Sequence, residues 1–247
     1  MKRTLMVPCV LFAAGALRLE AQQFPPDRLE NVKAFPADMS VRALVDTMAG
    51  FTRALGVRCT YCHLGREGEP LETYDFKSDE KPEKVKAREM IRMVAAINGD
   101  HLGRLSGRRE PAIVVTCATC HRGVTEPRPL QQVLQVAYDR LGADSAEAAY
   151  RRLRQRYYGS AAYDFGEVPL ANLATALRRQ GRAADALRFN LLNTEFAPNS
   201  GFAHRQAAEG HLAVGDTALA ITSLERALAI NANDPQARQR LNSLRRR

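Results

Sequence analysis

Four of the five cysteines in this chain of 247 residues fall into two copies of one pentapeptide, Cys59-Thr60-Tyr61-Cys62-His63 and Cys117-Ala118-Thr119-Cys120-His121. Paired cysteines in an exported protein ordinarily form disulfides, and two Cys-x-x-Cys pairs also suit a zinc ribbon. Neither chemistry needs a histidine directly after each pair. Haem attachment does. Two cysteines three apart on a helical turn reach the two vinyl groups of a porphyrin, and the next residue carries its imidazole to the iron. The motifs therefore read as two covalently attached haem c groups, held through Cys59 and Cys62 and through Cys117 and Cys120, with His63 and His121 as iron ligands. Such a group fastens a large apolar body to a segment that could not otherwise build a core, so the apoprotein is expected to fold poorly around residues 40–125.

The fifth cysteine, Cys9, lies in an amino terminus that reads as an export signal over residues 1–21. Lys2 and Arg3 supply the positive region, Leu5 to Leu17 a short apolar stretch, and Ala21 a small residue for cleavage. The apolar stretch is short for a span. Pro8 and Leu19 make the signal imperfect, and if uncleaved it would tether the protein to the membrane. Either way the expected location is the periplasm or the extracytoplasmic face of the membrane. The context Val7-Pro8-Cys9 does not suit a lipoprotein site, so Cys9 leaves with the signal. With 45% hydrophobic and 26% charged residues the remainder is neither largely disordered nor membrane-embedded. The net charge of +9 is offset by haem propionates and implies no nucleic-acid partner.

What fills the sixth position on each iron decides between electron transfer and ligand chemistry. After the signal the methionines are Met39, Met48, Met90 and Met93. Ser40 can cap a helix from Val41 to Leu55, with Ala43, Leu44, Met48, Phe51 and Leu55 at helical spacing and Gly56 ending it. The chain then turns through Val57 and Arg58 into Cys59, so Met48 is either an iron ligand or a core residue. A second amphipathic helix is expected from Pro82 to Leu105. Met90 and His101 stand three turns apart along it, facing the same way, and Met93 is a small rotation away. Any of the three could serve the second haem, and periodicity does not separate them.

Taken in order, Asn31-Val32-Lys33, Thr47-Met48, the first pentapeptide, Ala87-Arg88-Glu89-Met90-Ile91-Arg92-Met93, Ile97-Asn98 and Val115 to Gly123 resemble the first half of the photosynthetic reaction-centre cytochrome c subunit family. The full form of that family is a tetrahaem subunit built from two dihaem halves. The resemblance covers about Asn31 to Pro129 and implies His/Met coordination at both irons, with Met48 serving the first haem and Met90 the second. Met93 and His101 then become core or surface residues. Arg104 stands where the tetrahaem form carries a histidine that crosses to the other half, and two motifs cannot supply a four-haem wire alone. Of the smaller features, each ligand histidine ordinarily gives its other ring nitrogen to an acceptor, which the segment Gly123 to Pro129 could provide. Arg122 could pair with a propionate, and Gly65 to Lys81 reads as a polar loop over a haem edge.

After Pro127-Arg128-Pro129 the composition turns to alanine, leucine and arginine with helical periodicity. Helices are expected at Leu130 to Leu141 and at Ala146 to Tyr157, the latter capped by Asp144 or Ser145. From Glu167 a 34-residue period appears, with Gly181 and Gly215, Ala186 and Ala220, and Leu187 and Ile221 in corresponding places. This resembles tetratricopeptide repeats, in which Ala174, Ala186, Ala208, Ala220 and Ala227 allow close helix approach. Two repeats need caps, which residues 144–158 and the helix from Pro235 can provide. His204 and His211 fit repeat packing better than metal binding.

The sequence thus predicts an all-α protein: a signal peptide at 1–21, a dihaem cytochrome c domain at 22–130, a helical connector at 131–166, and tetratricopeptide-like repeats with a capping helix at 167–247. The expected function is single-electron transfer and not an enzymatic reaction. Its expected partners are a redox donor and acceptor, among them a reaction centre or another membrane electron-transfer complex, and a protein partner or a second copy bound through the repeats. The alternatives are a dihaem peroxidase and a redox or gas sensor with the repeats as output, both of which need an iron with an open distal face.

Overall fold

The computed structural model describes residues 24–108 and 110–246, so the export signal lies outside the described residues. The architecture is helical, as the sequence predicts. Among the described residues there is no strand, and one isolated antiparallel bridge pairs Leu64 with Asp75. No described helix is long and apolar enough to cross a membrane. The chain forms two compact units, Met1–Arg53 with Val57–Thr116, and Ala54–Gly56 with Cys117–Arg247.

Helix α1 spans Val41–Leu55, with all but its last two residues in the first unit, and Ser40 Oγ accepts from the Ala43 amide at 3.2 Å, capping it as expected. Helix α2 spans Pro82–Ala96 and starts with proline in its first turn, where a missing N–H costs nothing. The expected regular helix to Leu105 does not continue. Ile97–His101 forms a π-helical turn and Leu102–Arg104 a 3-10 turn. The wider turn changes the residue count per turn, so the α-helical register that aligns His101 with Met90 is broken. The wide turn carries Asn98, whose side chain donates to the Val115 carbonyl and accepts from the Val115 amide, both at 2.8 Å. Among the described residues of this unit only Tyr74 and Arg88 are buried.

In the second unit α3 is the single turn Cys117–His121. Helix α4 spans Leu130–Tyr157 and is broken at Gly142, whose φ of 80° is open to glycine and strained for other residues. The two helices expected here thus meet at that kink, and Asp144 pairs with Arg188. The repeats follow as α5 Glu167–Arg179, α6 Ala183–Phe196, α7 Gly201–Ala213 and α8 Thr217–Ile230, with α9 Pro235–Arg245 at the end. Gly181 and Gly215 both adopt left-handed φ, at 77° and 84°, in the turns after α5 and α7. One apolar cluster joins Leu130, Leu134, Tyr138 and Tyr150 of α4 to Leu170, Leu173, Leu177 and Phe189 of the first repeat. A second joins Ala208, Ala220, Leu224 and Ala227 to Leu241 and Leu244 of α9. The five alanines expected at close helix contacts are all buried. Composition changes at Pro129, whereas contacts group the chain from Cys117 onward with the repeats.

Candidate functional site

The first pentapeptide begins in a 3-10 turn, Cys59–Tyr61, and the Cys62 and His63 amides both donate to the Cys59 carbonyl, at 3.2 and 2.9 Å. One tight turn therefore carries two thiols and an imidazole. The second pentapeptide does the same as the helical turn α3. Cys59, Cys62, Cys117 and Cys120 are all free thiols. Among the described residues no three His, Cys, Asp or Glu side chains gather as a zinc ribbon would require.

The two histidines are prepared differently. His121 Nδ1 lies 2.9 Å from the Val124 carbonyl oxygen, inside the segment expected to offer an acceptor. A carbonyl only accepts, so Nδ1 carries the proton and Nε2 keeps the lone pair, which is the tautomer an iron ligand needs. The turn that brings the carbonyl round uses left-handed Arg122 and Gly123, with φ of 51° and 89°, and the Val124 amide closes it onto the His121 carbonyl at 2.9 Å. Within the same unit the Gly123 amide donates to Ala54 at 2.8 Å, and a Cβ on Gly56 would collide with the Gly123 carbonyl. Gly56 is therefore required twice, for its φ of 67° and for that close approach.

His63 is held by burial and aromatic packing. The Phe76 ring meets its imidazole edge-on at 5.0 Å, Tyr74 stacks on Phe76 at 5.7 Å, and Tyr74 Oη donates to the Arg66 carbonyl at 2.7 Å. Burial first, and the Lys84 charge next, push its basicity down to about 4, which keeps the ring neutral and able to give a lone pair. Its Nδ1 is buried with no hydrogen-bond partner. The loop from Gly65 to Lys81 is thus a built element beside His63, closed at its base by the Asp75 amide donating to Leu64 at 2.9 Å.

Sequence reasoning did not find what holds that loop. Arg88 clamps Asp79 through both guanidinium nitrogens at 2.9 and 2.8 Å and also donates to the Asn31 carbonyl at 3.2 Å. Asn31 and Lys33 add bonds to the same carboxylate at 2.8 and 2.9 Å. These donors, Arg88 foremost, hold the Asp79 carboxyl well below the usual range. Asn31, Lys33 and Arg88 figure in the family resemblance, but neither periodicity nor spacing pairs residues 46 to 57 positions apart. Of the methionines, Met48 is half-buried on α1 in the unit that holds the first pentapeptide, while Met90 and Met93 on α2 are exposed. His101 is exposed as well, Arg122 bonds the Thr119 carbonyl, and His204 and His211 lie in α7 of the repeats.

Two thiols and a neutral imidazole on one turn are the donor set that haem c takes, so the residues fit the group. Comparison with known proteins agrees. The cytochrome c-554 of Chloroflexus aurantiacus is 40% identical over 100 residues, a match that covers 40% of this chain and 21% of that protein. Among solved structures, the first TPR of Spaghetti (RPAP3) bound to an HSP90 peptide superposes with a TM-score of 0.34 at 19% identity, over 47% of this chain and 88% of that one. The profile of the family described as photosynthetic reaction centre cytochrome C subunit matches residues 27–181, beyond the last motif and through α5. The chain therefore belongs to the photosynthetic reaction centre cytochrome c subunit family, whose members are electron-carrying cytochromes with covalently bound haem c.

Proposed function

We propose that this chain is an exported dihaem c-type cytochrome that passes single electrons between a donor and an acceptor. The observation that supports the reading is the His121 to Val124 bond, which leaves the Nε2 lone pair free on the turn that carries two thiols. Haem c, when bound, supplies reversible one-electron chemistry at iron. Cys59, Cys62, Cys117 and Cys120 would hold it through thioethers, and His63 and His121 would supply imidazole to the iron. By family resemblance Met48 would help hold the first haem and Met90 the second. Thioether ligands of this kind would suit electron transfer better than peroxide chemistry. Its partners are then redox proteins, among them a reaction centre or another membrane complex, and the repeats offer a face for a protein partner or a second copy. The protein works in the periplasm or on the extracytoplasmic face of the membrane.

A haem stain with an optical redox titration tests this directly. Two haems per chain are expected, and Met48→Ala and Met90→Ala should each remove one methionine-to-ferric-iron band and lower one potential. A single haem per chain overturns the dihaem reading. Rapid stoichiometric carbon monoxide binding at both reduced irons would overturn the closed electron carrier in favour of a sensor or peroxidase.

A further inference from the structure

Lysine is rarely buried without a partner, because its ammonium loses hydration. Lys84 on α2 has only 11% of its side chain exposed. Its Nζ donates to three successive carbonyls, Phe76 at 2.8 Å, Lys77 at 3.0 Å and Ser78 at 2.8 Å. Those bonds account for all three ammonium protons. The first of those carbonyls belongs to the residue whose ring packs on His63. Asp79 stands 3.3 Å away, but that one carboxylate also answers Arg88 and Lys33. Asp75, the other acid nearby, is occupied by the Lys77 and Ser78 amides, and Lys81 bonds the Thr60 carbonyl inside the pentapeptide itself. Around Cys62 and His63 the positive charges are Lys81 and Lys84 and the negative ones Asp75 and Glu83, and Lys84 is held with little of its side chain in solvent.

We propose that Lys84 is a positioning residue that sets the potential of the first haem: it ties the loop bearing Phe76 against His63 and places a fixed positive charge beside that centre. The inference rests on the reading of Cys59, Cys62 and His63 as a haem site. Reduction lowers the charge of the iron by one, so a nearby buried cation stabilises the reduced form, and poor solvent screening lets the effect persist.

The test is a redox titration of the full-length holoprotein, with the first-haem wave identified as the one lost when Cys59 and Cys62 are both replaced by alanine. Lys84→Met should lower that wave by about tenfold in the ferrous-to-ferric ratio at fixed ambient potential, or about 59 mV for one electron. Lys86→Met, an equal charge change at a side chain 74% exposed on the same helix, should move it several-fold less. Asp79→Asn removes the negative partner and should raise the wave. Opposite signs are the signature of charge, since loosening the loop would move both variants the same way. Equal shifts for Lys84→Met and Lys86→Met, no shift for Lys84→Met, or shifts of one sign for Lys84→Met and Asp79→Asn each overturn the inference. Should Lys84→Met fail to retain haem, Asp79→Asn decides alone, and a potential that does not rise overturns it. If no wave depends on Cys59 and Cys62, it is the haem reading of the first motif that fails.

Discussion

The two units are stabilised by different means. The second hides Leu134, Leu170, Leu173, Leu177, Phe189 and Leu224 completely, the dry interior of an ordinary helical protein. In the first, only Tyr74 and Arg88 are buried among the described residues, while Ile113 and Val114 are 80% and 62% exposed. Its order comes from polar clamps: Arg88 on Asp79, Lys84 on three carbonyls, Asn98 on Val115. Each such bond contributes about 1 kcal/mol net, far too little to offset the entropy of ordering the chain. Polar clamps fix direction, and apolar burial must come from the covalent haem of this family. The comparison teaches that the first unit leans on a cofactor for its interior, whereas the second, which also carries the second pentapeptide, has a dry apolar interior of its own in α4 and the repeats.

The strongest way to break that contrast is to withhold the thioethers. Replacing Cys59 and Cys62 with alanine should strip hydrogen-exchange protection from α1 and α2, while α5 to α9 keep theirs. Loss in both units, or in neither, would show that the distinction is wrong. Next in size, Leu177→Ala opens a cavity in the second unit and should cost about 2–5 kcal/mol in denaturant unfolding followed by helical circular dichroism. The optical spectrum of the haem proposed at the first pentapeptide should be unaffected at moderate denaturant, which a single cooperative fold would not allow.

How much of this was legible in the sequence follows the same division. Helix α1 was read to the residue, because Ser40, a clean apolar stripe and Gly56 all say the same thing. The 34-residue period was equally plain, since Gly181 and Gly215 and the small alanines repeat in register. Where side chains cooperate across long loops, sequence was silent: nothing in Asp79, Lys84 or Phe76 announces the clamp beside His63. The π-helical turn was missed because Ile97 and His101 fit an α-helical stripe, and only the bond pair between Asn98 and Val115 shows why that segment is held differently. Similarly, the composition change at Pro129 marks the start of α4, but the family match runs on to residue 181. At the proposed haem site, spacing points to the cysteines and histidines, whereas the proposal of Met48 and Met90 rests on the family resemblance alone.

Two smaller changes sharpen the comparison from each side. Asn98→Ala removes both bonds to Val115 at once and should cost the first unit about 1–3 kcal/mol, read as faster exchange of the Val115 amide with α7 and α8 unchanged. In the second unit Asp234 caps α9, accepting from the Gln236 and Ala237 amides at 3.0 Å and from Arg205 at 3.0 Å. Burial alone would raise its carboxyl, but the Ala237 amide and Arg205 hold it below its ordinary value. Asp234→Ala should cost about 0.5–2 kcal/mol, seen first as fraying of α9.

The smallest effect belongs to Arg151 and Glu195, which pair through two bonds of 2.6 Å between α4 and α6. Hydrogen bonding from Arg151 holds the Glu195 carboxyl below its ordinary value of 4.5. The unfolded chain therefore binds a proton there before the folded one does. The pair's contribution is present above about pH 4.5 and fades as the pH falls through the lowered folded value. Both side chains are more than 40% exposed, so solvent screening limits that contribution to about 1 kcal/mol or less. Glu195→Gln should lower stability at pH 7 by no more than this, with the difference closing in acid and in about 1 M salt. A larger loss that survives salt would mean that the join between α4 and the first repeat depends on this pair as heavily as the first unit depends on its clamps, and the second unit's apolar interior would no longer suffice to explain its stability.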